Sequence, residues 1–169
     1  MHAQGHKGIA LLLYSPITYF LLNTGQLFLA IGGLVVVLFL SMLPDKDMVI
    51  PLLRHRGPTH TIWFAIAVGL ALAGVGLGIQ FGLDEVGIVA VAVPIGFLFL
   101  VGFLSIVYHI IGDAMNPTGV RPYRPVSNHK HALGVAKSSS FVGNWGFYLL
   151  GLVANLVAIG LALHHHLLV

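Results

Sequence analysis

Apolar residues run in long blocks along this chain, and polar residues interrupt them at few places. Five blocks stand out: residues 8–22, 26–43, 59–81, 86–111 and 141–163. A membrane-spanning helix needs about 20 predominantly apolar residues, roughly 17–25, and the last four blocks meet that length. The first is shorter, carries Pro16 and ends at Asn23-Thr24-Gly25, so it reads as a marginal span, tilted or re-entrant. The pattern predicts an all-α integral membrane protein, a bundle of about five transmembrane helices forming one domain over residues 1–169. Backbone groups freed near Pro16 and Pro94 need partners inside the bundle. Gly32, Gly33, the series Gly69, Gly74, Gly76 and Gly78, and Gly96 with Gly102 read as sites of close helix approach. Trp63, Trp145 and Tyr148 read as interfacial anchors.

Composition supports the membrane class. The chain is 57% hydrophobic and 8% charged, with a mean hydropathy of +0.96, against about 25% charged for a soluble domain. Such a balance cannot be divided into a core and a wetted surface. There is no cysteine, which excludes disulfides and thiolate metal sites. Lys7 precedes the first block, but no small-residue cleavage site follows, so this is not a cleavable signal. The net charge of +3 reads as topology and headgroup contact, with no nucleic-acid partner. Five crossings place all eight basic residues (Lys7, Lys46, Arg54, Arg56, Arg121, Arg124, Lys130, Lys137) on one side. Positive loops mark the cytoplasm, so the expectation is a multi-pass inner-membrane protein with its N-terminus cytoplasmic. Without the first crossing, Lys7 would sit opposite the other seven.

The chemistry is confined to short polar clusters on that same side. The chain has five acidic residues, and Asp45, Asp47 and Asp113 lie within a few positions of a histidine or at the end of an apolar block. Seven candidate metal ligands follow: His6, Asp45, Asp47, His55, His60, His109 and Asp113. His109 and Asp113 are four apart and share a helix face. Pro58 suits a first helical position and puts His60 in the first turn. Imidazole and carboxylate donors suit zinc first, then manganese, iron or magnesium, and suit calcium less. Seven ligands exceed one tetrahedral ion and match a two-metal site with open positions. The bland alternatives are a headgroup-facing His55 and a helix-capping Asp45. His2, His129 and His131 fall in polar stretches, and His164-His165-His166 fall on the opposite side.

These motifs resemble a known family. Gly5-His6, Leu43-Pro44-Asp45-Lys46-Asp47, His55-Arg56-Gly57-Pro58-Thr59-His60-Thr61, and His109 through Asp113 to Asn116-Pro117-Thr118-Gly119-Val120 look like the YdjM-type membrane-bound, metal-dependent hydrolases. The resemblance runs from about residue 5 to Pro125 and implies a small helical inner-membrane hydrolase. Lys46 departs from the pattern, standing where an apolar residue is commoner. A remoter similarity to zinc phospholipases C and P1-type nucleases, through the H-x-x-x-D spacing, implies phosphoester chemistry.

The expected activity is metal-dependent hydrolysis of a phosphoester in a membrane lipid or lipid-linked substrate at the cytoplasmic leaflet. One or two divalent ions would activate water, with Asp45 or Asp47, whichever is not a ligand, as base, His60 or His55 as proton donor and Arg56, with Arg121 or Arg124, as phosphate clamp. Asn116, Arg121 and Arg124 are the further substrate-binding candidates. An intramembrane metallopeptidase would need an H-E-x-x-H helix, which is absent. A metal or proton transporter would need ionisable residues at mid-membrane, and the candidates gather at one face. A non-catalytic membrane protein accounts for the spans but not for the grouping of scarce aspartates with histidines. The loop 119–140 is basic and aromatic; it either lies on anionic headgroups or covers the site.

Overall fold

A computed structural model describes residues 1–50, 55–88 and 92–168. Arg54, and residues 89–91 of the fourth apolar block, fall outside this description. The described chain forms five helices: α1 (Ala3–Asn23), α2 (Leu27–Leu40), α3 (Ile62–Glu85), α4 (Ile95–Ala114) and α5 (Phe141–Leu168). Short 3-10 turns, Pro44–Val49 and Pro58–His60, lie between α2 and α3. Among the described residues four stretches are long and apolar enough to cross a membrane: Leu27–Val49, Ile62–Glu85, Ile95–Ala114 and Phe141–Leu167.

The first helix differs in kind from the others. It is 21 residues long, about 31 Å at about 1.5 Å per residue, yet it is the least apolar of the five. The reason is its position. Gly5, His6, Gly8, Ile9, Ala10, Leu11, Tyr14, Thr18 and Leu21 are all buried, with α5, α2 and α4 packed around it. A helix surrounded by protein does not have to satisfy lipid, so it carries the polar groups of the bundle. Pro16 lies inside it and removes the N–H that would bond the Leu12 carbonyl. The Ser15 hydroxyl donates to that carbonyl instead, at 2.8 Å.

Several boundaries differ from the apolar blocks. The α3 helix begins at Ile62, where the Thr61 side chain accepts from the Phe64 N–H at 3.3 Å. Pro58 therefore opens a separate 3-10 turn, and His60 precedes α3 instead of lying in its first turn. Pro94 is the residue before α4, not a kink within it. The fifth helix continues through the terminal histidines, and the His166 ring donates from Nε2 to the Leu22 carbonyl at 3.0 Å.

Glycine sets the closest helix contacts, at partly different positions from those expected. A Cβ on Gly8 would lie 2.4 Å from backbone atoms of Phe147 and Tyr148, and one on Gly151 would lie 2.3 Å from the Gly8 carbonyl oxygen. The closest approach is therefore α1 against α5. Gly69 and Gly102 form the matching seam of α3 and α4, while Gly32, Gly74, Gly78 and Gly96 face open space. Asn155 fastens α5 to α1: its amide donates to the Leu11 carbonyl at 2.8 Å and accepts from the Thr18 hydroxyl at 3.0 Å. After α4 the chain folds back on itself. Val120 and His131 exchange backbone hydrogen bonds at 2.9 Å, Leu133 N–H bonds the Ala114 carbonyl, and the Pro122 carbonyl accepts from Ile62 N–H at the start of α3.

Candidate metal centre

Successive helices run in opposite directions, so the starts of α1 and α3 and the ends of α2 and α4 come to one end of the bundle. His6 lies near the start of α1, and His109 and Asp113 on the last turns of α4. Asp45 and Asp47 come from the 3-10 turn that Pro44 opens. Such a turn has about three residues per revolution, so side chains two positions apart point in different directions. Asp45 faces His60 and His109, and Asp47 faces Thr59 in the Pro58–His60 turn.

His60 Nε2 and His109 Nε2 lie 3.1 Å apart. Asp45 Oδ1 is 3.5 Å from the first and 3.4 Å from the second. Asp113 Oδ2 is 3.4 Å from the first and 3.8 Å from the second. These five separations run from 3.1 to 3.8 Å. Four donors at about 2.1 Å from one ion would be separated by about 3.4 Å. His60, His109 and Asp113 are fully buried or nearly so, and Asp45 is slightly exposed.

The imidazole protons make this geometry informative. His109 Nδ1 is 2.7 Å from the Ser41 carbonyl, which only accepts, so that nitrogen carries the proton. The Thr59 hydroxyl donates to Asp47 Oδ2 at 2.9 Å. It therefore accepts from His60 Nδ1 at 3.0 Å, and Asp47 Oδ2 lies 3.3 Å from the same nitrogen. Both rings, when neutral, present bare Nε2 lone pairs to one another and to two carboxylate oxygens. Such a set is stable around a cation and repulsive without one. Asp113 Oδ2, buried and without a hydrogen-bond partner, belongs to it. The residues present fit a divalent ion.

His6 stands beside this group. Its ring stacks on that of His109, centroids 3.9 Å apart, and neither ring nitrogen has a hydrogen-bond partner. Its Nε2 faces the other oxygen of each carboxylate, 4.0 Å from Asp45 Oδ2 and 3.7 Å from Asp113 Oδ1. Arg56 Nη2 donates to that Asp113 oxygen at 3.1 Å, and the Met1 nitrogen lies 3.3 Å from it. Gly112 makes room for the ring, since a Cβ there would lie 2.7 Å from His6 Nδ1.

Asp47 takes a supporting position. His55 Nδ1 at 2.9 Å and the Arg56 N–H at 3.2 Å occupy its oxygens together with Thr59 and His60. The pairing orients both imidazoles, as outer carboxylates do for metal-binding histidines. His55 is the most exposed of the candidate ligands, with 43% of its side chain accessible. It stays close enough that Asp45, His55 and His60 offer donors within 4.8 Å of one another. Arg56 adopts a φ of 59°, in the left-handed region that non-glycine residues rarely occupy. Its guanidinium is held by Thr118, the Gly119 carbonyl and Asp113.

His55 and Arg56 also form one wall of a polar cavity of about 460 Å³, with Thr118, Arg121, Arg124 and Lys130 around it. Among the described residues no carboxylate lines it. Arg121 and Arg124 are braced from Nε by the backbone and side-chain oxygens of Asn128. The loop 119–140 thus walls the cavity. Asn116 is fully buried, and its Oδ1 accepts from the Ser138 hydroxyl at 3.0 Å, which ties the loop to the end of α4. His164-His165-His166 lie at the far end of α5. Sequence reasoning gave no role to Ser41, Thr59, Thr118 or Gly112. Gly112 left a signal as a glycine in a helix between two candidate ligands, Thr59 and Thr118 stand inside the motifs that carry the resemblance, and Ser41 left none.

A family model described as YdjM inner membrane protein matches residues 1–168. Neither the curated proteins nor the solved structures contain a match.

Proposed function

The chain belongs to the YdjM inner membrane protein family, and from its site we propose a metal-dependent hydrolase acting on a phosphoester of a lipid or lipid-linked substrate at the cytoplasmic leaflet. One observation carries the reading: a close, buried set of imidazole and carboxylate donors adjoins a cavity walled by cations. The donors His60, His109, Asp45 and Asp113 would hold the ion, zinc first by donor type, with His6 as an additional donor. One ion is favoured over two, because Arg56 and the Met1 nitrogen already serve the outer oxygen of Asp113. The ion would supply Lewis-acid polarisation of a phosphoryl oxygen and a lowered pKa for coordinated water.

The protein's own groups do the rest. Arg121, Arg124 and Lys130 bind the phosphate oxygens, with the terminal guanidinium nitrogens suited to two of them at once. Arg56, which the sequence offered as the clamp, is held on Thr118, Gly119 and Asp113 and braces the cavity wall. As the water oxygen bonds to phosphorus, the ester P–O bond breaks and the departing oxygen needs a proton. His55 supplies it as the imidazolium, from Nε2 on the cavity wall with Nδ1–H held on Asp47, and the proton that the attacking water gives up passes to solvent. Asp47, offered by the sequence as the base, has donors on both oxygens and is reassigned to orienting His55 and His60. Charge supports the choice of leaflet: Lys7, Lys46, Arg56, Arg121, Arg124, Lys130 and Lys137 all belong to segments at the metal end.

The test is phosphate or headgroup release by purified protein in lipid nanodiscs, with and without added zinc or manganese. Metal-dependent release that disappears in His109→Ala supports the reading. Release from no phosphoester, by protein shown to contain the metal, overturns it.

A further inference from the structure

The basic cavity has an apolar neighbour. A groove of about 670 Å³ runs from Gly57 and Pro58 along the first turns of α3, past Thr61, Trp63, Phe64 and Ala67, to Pro125. Arg124 lines both this groove and the basic cavity, and Gly57 in one follows Arg56 in the other. Trp63 and Ala67 are exposed on the flank of α3, a helix apolar and long enough to cross a membrane. The groove therefore opens towards lipid, with a tryptophan at the level where such rings favour the membrane interface.

We infer that this groove seats the hydrocarbon chain of an anionic lipid phosphate whose headgroup occupies the basic cavity, the two parts meeting at Arg124. The inference rests on the hydrolase reading only for what becomes of the headgroup. Two observations select this occupant. Among the described residues that line it, the polar half carries Arg121, Arg124 and Lys130 with no carboxylate, beside an Arg56 already paired with Asp113, so it selects an anion. The apolar half offers almost no polar group besides Thr61 and Arg124, so it selects a chain. A comparable apolar groove between α1, α2 and α5, about 410 Å³, lies at the opposite end beside Leu22 and His166. Among the described residues no Lys or Arg lines it. The ligand enters sideways from the bilayer, and Trp63, Phe64 and Ala67 discriminate lipid phosphates from water-soluble ones.

The test uses phosphatidylcholine nanodiscs carrying the full protein and a trace of photoactivatable lipid, either phosphatidate or phosphatidylcholine with the same labelled chain. Crosslinks are mapped by mass spectrometry. Residues 61–67 should take up the phosphatidate probe about tenfold more than the phosphatidylcholine probe, the effect of one charge-assisted hydrogen bond. Arg124→Ala should bring the two towards parity. Ala67→Trp, on an exposed face, should lower phosphatidate labelling while bound metal stays at the wild-type level. Equal labelling by both probes in the wild type overturns the inference. Selective labelling without hydrolysis of any phosphoester would leave the groove standing and remove the hydrolase. Hydrolysis of lipid phosphate without selective labelling would do the reverse.

Discussion

The His109 ring reaches from α4 to the carbonyl oxygen of Ser41 just past α2, Nδ1 to oxygen 2.7 Å. That single bond ties the ends of two helices and fixes the tautomer, so Nε2 is turned onto His60, Asp45 and Asp113. Replacing His109 or Asp113 by Ala should remove the bound metal, read by elemental analysis of purified protein against the wild type. Chelation should likewise abolish any hydrolysis, and the divalent ion should restore it. Stoichiometric metal in both variants would remove the centre as described.

Asp47→Asn tests the supporting shell apart from the donors. The amide keeps one acceptor oxygen but loses the charge that orients His55 and His60. Outer-shell changes of this kind cost about 10–100-fold in metal affinity or activity. A competition titration with a fluorescent chelator measures it. An unchanged affinity together with unchanged activity would show that Asp47 orients neither ring.

Gly112→Ala should disturb the site without touching a donor. The added Cβ would come within 2.7 Å of His6 Nδ1, and the stacked His109 ring limits where His6 can go. The expected result is weakened metal binding with helix content unchanged, read by metal titration and circular dichroism. Full-strength binding would mean His6 moves freely and is no part of the centre.

Gly8→Ala and Gly151→Ala should separate α1 from α5, because each Cβ meets backbone rather than a mobile side-chain end. Overpacking of this kind costs about 1–3 kcal/mol. Gly74 faces open space in α3, so Gly74→Ala should be neutral or stabilising by up to about 1 kcal/mol. Unfolding midpoints in detergent separate the two classes. Equal midpoints for all three variants would contradict the packing.

Asn155→Leu removes the bonds to Thr18 and to the Leu11 carbonyl. Interhelical hydrogen bonds in membranes average about 0.6 kcal/mol, with model systems at about 1–2, so the same assay should register a loss of roughly 1 kcal/mol. A midpoint at or above the wild-type value would show that this clamp contributes nothing.

Long apolar blocks with few charges leave only one class open, because a chain that cannot wet its surface must place it in lipid. The all-helical membrane class and the family were therefore legible in the linear pattern. So was the common level of His6, Asp45, His60, His109 and Asp113, since alternating helix direction brings alternate ends together whatever the packing. The enclosed place of α1 was less legible: its polar residues weakened the span signal because its neighbours are protein. The different directions of Asp45 and Asp47 were decided by the fold alone. Side-chain direction in a 3-10 turn follows from where the turn docks, not from a repeat that spacing reveals. For the same reason Gly8 and Gly151, Ser41, Thr59 and the two cavities meeting at Arg124 appear only in three dimensions. Each depends on contacts between segments far apart in the chain, and no local pattern encodes which segments will touch.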